Sequence, residues 1–389
     1  MNTNIYFEEK LINKAGGDRL VLSRVELIEI NRSILHSAVT KSNNLMFDDL
    51  KVNNRTYYVT NNGDKFHQMK ISDPEIGTLT FGANPQKYGI WEFSPCNFRD
   101  GNNLVNFSGW ELIDYLEYAA KLLNERFGLV ISFFNSILRG IELNTTFALR
   151  YAFSDYYRPL SVLFLRMPYL KKQCEYSGTE NKEKKLQSCS TFNKQISVTA
   201  YNKSLEMAVN LKSKERILVY DEDGVIVDSD LMRIEFKLKT AEICKKWLPD
   251  LHTIEDLSDE MIYKAFRDLV EHYFFTPLEK WEKENKQYLN RLVKPYVKNG
   301  KKGYNWKSKL LMEFKNKELK EREVKLLDVS DLNLVISNYT DRSGHKGRLL
   351  LKEDFSGFAN NDVFLQNDRE KLNEIVESLK HSFRFDSDL

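Results

Sequence analysis

Two short runs, Ile196 to Ala200 and Leu231 to Leu238, constrain this chain more than any other feature. The second, LMRIEFKL, has a period of two, which a helix cannot use and a strand requires. Successive strand side chains point to opposite faces. Met232, Ile234, Phe236 and Leu238 therefore share one face, and Leu231, Arg233, Glu235, Lys237 and Lys239 share the other. The first run ends in Tyr201-Asn202-Lys203. A chain with these runs must build a sheet with one apolar face to cover and one charged face. Taken alone, a tyrosine at a strand end is a packing residue, and a glutamate in an alternating strand points to solvent. The other reading is a charged sheet face that carries phosphate chemistry. On the residues alone both stay open.

The rest of the chain narrows the choice. A length of 389 residues favours two domains. Hydrophobic content of 42% is ample for a globular core, and a net charge of +2 excludes a uniformly basic coat, so any nucleic-acid contact must come from local patches. Cys96, Cys174, Cys189 and Cys244 show no C-x-x-C spacing, which argues against a zinc site and for a reducing cytoplasm. The start, MNTNIYFEEK, lacks the pattern of a signal peptide, and no apolar run is long enough for a membrane helix. The expectation is a soluble, cytoplasmic protein. No P-loop, dinucleotide fingerprint or Ser-His-Asp pattern is found, which excludes a helicase within the chain.

Residues 1–95 read as mainly β. Arg19 to Ile30, Arg55 to Thr60, Gly77 to Gly82 and Tyr88 to Phe93 are strand candidates, with a turn at Asn61-Asn62-Gly63-Asp64. Gly109 to Gly128 is the clearest helix, with Ser108 as its N-cap and Gly128 as its C-cap. Ile137 to Phe147 follows as a strand, and Glu175 to Ser190 reads as a long polar loop. Beyond residue 245 the pattern turns helical: Ala241 to Trp247, Ser258 to Tyr273, Leu278 to Leu292 and Arg369 to His381, with Pro249 and Pro277 as breaks. Between Lys294 and Lys325, basic residues interleave with Tyr296, Tyr304 and Trp306. Lys301, Lys302, Tyr304, Trp306 and Lys307 are the DNA-binding candidates there, able to hold phosphates and stack bases; a solvated charged helix is the plainer reading. Lys307 to Asn338 and Gly347 to Leu351 carry a weak helix-turn-helix or winged-helix signal.

The order of these pieces resembles the rolling-circle replication initiators of bacterial plasmids and filamentous phages, the class of the trans-acting plasmid initiators and the phage gene II protein. In that class a strand ends in Tyr-Asp/Asn-Lys with a Leu-Glu pair after it, and a later strand reads Arg-Ile/Leu-Glu-hydrophobic. Here these are Tyr201-Asn202-Lys203-Ser204-Leu205-Glu206 and Arg233-Ile234-Glu235-Phe236. Asn97 to Leu104 (NFRDGNNL) resembles the class's segment before a helix, and Ile137 to Phe147 its strand with an acidic residue. The resemblance covers residues 80–245. It implies an α+β fold, an antiparallel sheet with helices on one face as in a replication-initiator nuclease, over residues 1–248. A mainly helical region, 249–389, would bind DNA or a partner.

The resemblance also implies a nicking-closing reaction. Tyr201 would attack a phosphate at an origin, forming a 5′-phosphotyrosine and freeing a 3′-OH to prime synthesis. The implied partners are origin DNA, a host helicase and DNA polymerase, and a second copy in a homodimer. A phenol has a reference pKa of about 10, so only on the order of one molecule in 10³ is ionised at pH 7, a gap of roughly 4 kcal/mol. Lys203 and Arg233 are the cations expected to offset part of it. Mg²⁺ or Mn²⁺ would polarise the phosphate, with Glu142 and Glu235 as oxygen ligands. The class often has Asp at the earlier position, with an Arg two residues before it; here Arg139 stands three residues before Glu142. No His-x-His pair occurs, and His67 as a lone ligand or base is set against an ordinary strand histidine. Tyr220, in the acidic VYDED, is the rival nucleophile. A conjugative relaxase and a non-catalytic DNA-binding regulator on the same fold are the alternatives.

Overall fold

A computed structural model of the chain describes residues 14–31, 69–73, 75–81, 88–96, 106–177, 185–210, 230–298 and 366–383, with short pieces at 5–6, 33–35, 50–52, 55–57, 219–220, 327–328 and 363–364. By compactness it divides into two discontinuous units. The first is Met1–Ala148, Phe192–Leu269 and His381–Leu389; the second is Leu149–Thr191 and Val270–Lys380. Residues 249–269 thus group with the first unit and 149–191 with the second. The division at 248/249 is drawn from composition and motif content.

The first unit is α+β. A parallel pair, β1 (Ile5–Tyr6) and β13 (Val219–Tyr220), stands apart from a large sheet. That sheet contains β2 (Gly16–Ile30), β3 (Leu50–Val52), β4 (Arg55–Tyr57), β5 (Met69–Asp73), β6 (Gly77–Phe81), β7 (Tyr88–Phe93), β8 (Leu129–Ser132) and β9 (Ile137–Ala148). After the strands of the second unit, β10 (Lys171–Ser177) and β11 (Lys185–Phe192), it gains β12 (Ile196–Asn202) and β14 (Leu231–Leu238). Within the first unit the strand order is β12-β14-β9-β2-β7-β6-β5-β4-β3, with β8 also on β2. The pairs β12–β14, β14–β9, β9–β2 and β2–β7 are all antiparallel.

The alternation read from LMRIEFKL holds. Ile234, Phe236 and Leu238 are buried on the face they share with Ile196, Val198 and Ala200 of β12 and with Ile141 and Leu143 of β9. Leu20 and Leu22 of β2 and Phe93 of β7 are buried with them. Helices cover this apolar face, with Phe236 meeting Phe266 of α5 (Asp259–Val270) edge to face, ring centroids 5.6 Å apart.

Helix α1 (Gly109–Phe127) forms where its pattern places it. Ser108 and Glu111 form a capping box, and Gly128 closes the helix at φ 66°, a left-handed conformation that favours glycine. Leu112, Leu116, Leu123 and Phe127 are its buried stripe. Helix α3 (Lys203–Asn210) follows β12 directly, and α4 (Ala241–Trp247) is capped by the Thr240 hydroxyl, which accepts from the Ile243 N–H.

The second unit holds β10, β11, α2 (Tyr157–Leu165), α6 (Thr276–Lys298) and most of α7 (Gln366–His381). Here two expectations are corrected. The stretch Glu175 to Ser190 lies largely in strands: β10 runs through Ser177 and β11 starts at Lys185. Its polarity hid a period of two, in which Cys189 and Thr191 are buried while Ser190 is not. Pro277 is also not a break. It lies inside a continuous helix, just after a π-helical turn at Glu271–Phe275 where the Thr276 N–H donates to the Glu271 carbonyl five residues back, and this wider bonding makes room for a residue without an N–H. Phe164 packs on Phe274 at 5.6 Å. The Tyr156 hydroxyl donates to Glu374 at 2.6 Å, and Arg166 and Arg369 both lie over the Trp281 ring.

Candidate active site

Strand register alone assembles the polar face. On β14, Arg233 is directly opposed by Tyr201 of β12 and by Thr146 of β9. Glu235 is opposed by Thr199 and Asn144, and Lys237 by Ser197 and Glu142. Three strands thus present Tyr201, Arg233, Glu235, Asn144 and Glu142 on one side of the sheet. Directly opposed side chains lie about 4.5–5.5 Å apart at Cβ, and diagonal ones stay within reach of long side chains.

Most of this face is covered. The Arg233 guanidinium is completely buried; Nε donates to Thr146 Oγ1 at 2.8 Å, and Nη1 donates to Asp18 Oδ2 at 3.4 Å. Asp18, 3% exposed, lies where the pairing of β2 with β9 skips a residue between Gly17 and Arg19, and it also accepts from Ser94. Lys203, likewise buried, pairs through Nζ with Glu206 one turn on and lies 5.9 Å from the centre of the Tyr201 ring. The two cations expected beside Tyr201 are therefore both there, each already matched to a carboxylate.

Burial outweighs the help the cations give. Burial is the largest effect on the Tyr201 phenol and pushes its pKa up; Arg233 pulls it down, and Glu235, Glu206 and Asp18 push it up again. The net result lies well above the ordinary value of about 10, so the resting hydroxyl is protonated. The carboxylates that hold the cations in place are what cancel them. Burial also lowers Lys203 to about 8, helped by Arg233 and opposed by Glu206.

Glu142 and Glu235 are diagonal neighbours across β9 and β14. Burial raises Glu235, and its next largest push is the charge of Glu142, so the two carboxylates repel across a short gap. Glu142 is ion-paired with Lys237, whose side chain is 38% exposed. Arg139 is exposed and falls at a bulge, between the pairs Val21–Gly140 and Leu22–Leu138. The three-residue spacing to Glu142 therefore includes a residue that the ladder skips.

Between the two carboxylates lies a residue that sequence reasoning missed. Asn144 is fully buried, and neither Oδ1 nor Nδ2 finds a hydrogen-bond partner among the described residues. Such a buried group costs about 1–3 kcal/mol, and native structures seldom leave one unmet. Its backbone carbonyl accepts from Asn106 Nδ2 at 3.1 Å, and Asn106 Nδ2 reaches the Lys14 carbonyl too. Asn106 approaches over Gly16, where a Cβ would lie 2.5 Å from that of Asn106, so only glycine admits the crossing. Asn144 and Thr146 carried one signal in the sequence: ELNTT alternates from Glu142, placing both on its face.

No group of three or more His, Cys, Asp or Glu among the described residues is arranged to hold a metal. A divalent cation here would rest on two carboxylates plus neutral oxygens, a donor set that would suit Mg²⁺ or Mn²⁺. The repelling pair and the orphaned carboxamide beside it fit such an ion.

The remaining candidates fall elsewhere. Tyr220 lies on β13, away from the large sheet in topology. His67, Lys301, Lys302, Tyr304, Trp306 and Lys307, the segment Asn97 to Leu104 and the turn Asn61 to Asp64 lie outside the described residues. So do the stretches that carry the helix-turn-helix signal, apart from Leu327–Asp328. Among the described residues no helix is long and apolar enough to cross a membrane.

No family model matches the chain, and no curated protein matches it. Among solved structures it is similar to a rolling circle replication initiator protein from Geobacillus stearothermophilus, with a TM-score of 0.34 and 11% identity over 67% of this chain and 85% of that one. A likeness of that degree assigns no role to any residue here.

Proposed function

We propose that the chain is an initiator of rolling-circle replication that nicks one DNA strand at an origin through Tyr201. The observation that carries this reading is the register of three strands: Tyr201 opposes Arg233, and Glu235 and Glu142 follow on the same face. A nucleophile, a guanidinium suited to a phosphate and a carboxylate pair are what transesterification of a phosphodiester requires.

In the proposed reaction Tyr201 Oη loses its proton to solvent and attacks phosphorus. The Oη–P bond forms, the P–O3′ bond breaks, and the departing oxygen takes up a proton as the free 3′-OH. The product is a 5′-phosphotyrosine that the same groups can reverse. Mg²⁺ or Mn²⁺ held by Glu142 and Glu235 would supply Lewis-acid polarisation of the phosphate. Arg233 stays fixed by Thr146 and Asp18 and offers its charge without reorganising. The protonated resting state of Tyr201 makes the nucleophile depend on what DNA brings. A bound strand that displaces Glu206 from Lys203 would leave a cation facing the phenol. Host helicase and DNA polymerase, and a second copy of the chain, are the partners this chemistry calls for. A conjugative relaxase would use the same steps at a transfer origin.

One observation favours a second reading. The burial of Tyr201 among three carboxylates suits a DNA-binding regulator that has no nicking activity. Supercoiled plasmid carrying the parental origin, incubated with Mn²⁺ and either wild type or Tyr201→Phe, separates the two. Nicked circles with wild type only support the initiator. Specific origin binding without nicking supports the regulator.

A further inference from the structure

We infer that Asn144 is a ligand of the divalent cation, its Oδ1 completing with Glu142 and Glu235 a site of two carboxylates and one neutral oxygen. The inference rests on the reading of Glu142 and Glu235 as metal ligands and adds the residue that makes their site complete. Three independent features place Asn144 in this role. It is directly opposed to Glu235 and two residues from Glu142 on one strand, so all three side chains leave the same face. It is fully buried with both amide atoms unmet among the described residues, and an acceptor at that depth needs an ion or a donor. Its backbone is pinned by Asn106, whose close crossing depends on glycine at position 16, so the side chain has a fixed base.

The chemistry favours a neutral third donor. Two carboxylates already cancel a dication, and a third buried charge would add repulsion to a pair that already repels. A carboxamide oxygen adds a hard ligand without charge, and its Nδ2 can donate to a carboxylate oxygen that the ion does not use. Lys237, now paired with Glu142, is exposed enough to turn to solvent when the ion enters. The sheet thus holds three ligands on two paired strands.

The test is Mn²⁺ binding by the full chain without DNA, followed through loss of the free-ion electron paramagnetic resonance signal, with thermal unfolding in EDTA alongside. Asn144→Leu keeps the number of side-chain heavy atoms and removes the acceptor; it is expected to weaken Mn²⁺ tenfold or more, with a cooperative melt in EDTA showing that the variant is folded. Asn144→Asp keeps an oxygen donor and is expected to bind Mn²⁺ at least as tightly as wild type while melting lower in EDTA, where no ion offsets the third charge, and this holds whether or not the leucine variant folds. Mn²⁺ affinity unchanged in Asn144→Leu, or lost in a folded Asn144→Asp, overturns the inference. If instead wild type binds no Mn²⁺, or Glu235→Gln binds it unchanged, the two-carboxylate reading beneath it fails.

Discussion

Replacing Arg233 by methionine removes a guanidinium that is wholly buried and takes from Asp18, 3% exposed, the ion pair it makes with that group. The separation of 3.4 Å corresponds to an attraction of about 5 kcal/mol at an effective dielectric of about 20. Desolvation of both ions offsets much of that in the intact pair, so the pair adds little net stability. Removing one partner is a different matter: the other charge stays buried, and the expected loss is about 3–5 kcal/mol. Thr146 Oγ1 also loses its donor. The double variant Asp18→Asn, Arg233→Met has no orphaned charge and should recover most of the loss, ending within about 2 kcal/mol of wild type. Urea unfolding at pH 7 reads this as midpoint shifts at constant slope. A loss under about 1 kcal/mol in Arg233→Met, or a double variant as unstable as the sum of the two singles, would refute the reasoning.

Other expected outcomes follow from single contacts. Lys203 has its pKa lowered from 10.5 to about 8, so below pH 8 it is charged in both states and the fold bears the full desolvation penalty. Between pH 8 and 10.5 the unfolded chain holds the extra proton, so wild type should gain up to roughly 3 kcal/mol relative to Lys203→Met across that window, read by chemical unfolding; a flat difference would contradict the burial of a charged Lys203. Gly16→Ala puts a methyl where Asn106 now lies and should cost about 1–3 kcal/mol, measured as a shift in melting temperature, with an unchanged value as the contrary result. Tyr156→Phe removes the donor to Glu374 and should cost the second unit about 1–2 kcal/mol, seen as faster amide exchange in α2 and α7; unaltered exchange would mean the bond contributes nothing there.

What was legible in the sequence was whatever short-range pattern decides. The period of two in LMRIEFKL gave both the strand and its faces, and Ser108 and Gly128 bounded α1 because caps act locally. Tyr201, Arg233 and Glu235 could be singled out because their strands show their ends in the sequence. Which residues meet across strands is a long-range property. Asp18 meets Arg233 from 215 positions away, and Asn106 reaches Asn144 only because Gly16 lets it cross. The direction of the Tyr201 shift was hidden for the same reason: Lys203 and Arg233 were visible, but burial and the partners that occupy them were not. The strand Lys185–Phe192 did not show within the polar loop read over Glu175 to Ser190 because its buried positions are Cys189 and Thr191, too small and polar to stand out from a loop.

The most direct measurement of the central claim is mass spectrometry of the protein after reaction with a single-stranded oligonucleotide spanning the origin nick site, in Mn²⁺. The account predicts a covalent adduct whose nucleotide mass maps to the peptide containing Tyr201, joined through a 5′-phosphate, and absent from Tyr201→Phe. An adduct mapping to Tyr220, or one that survives in Tyr201→Phe, would contradict it.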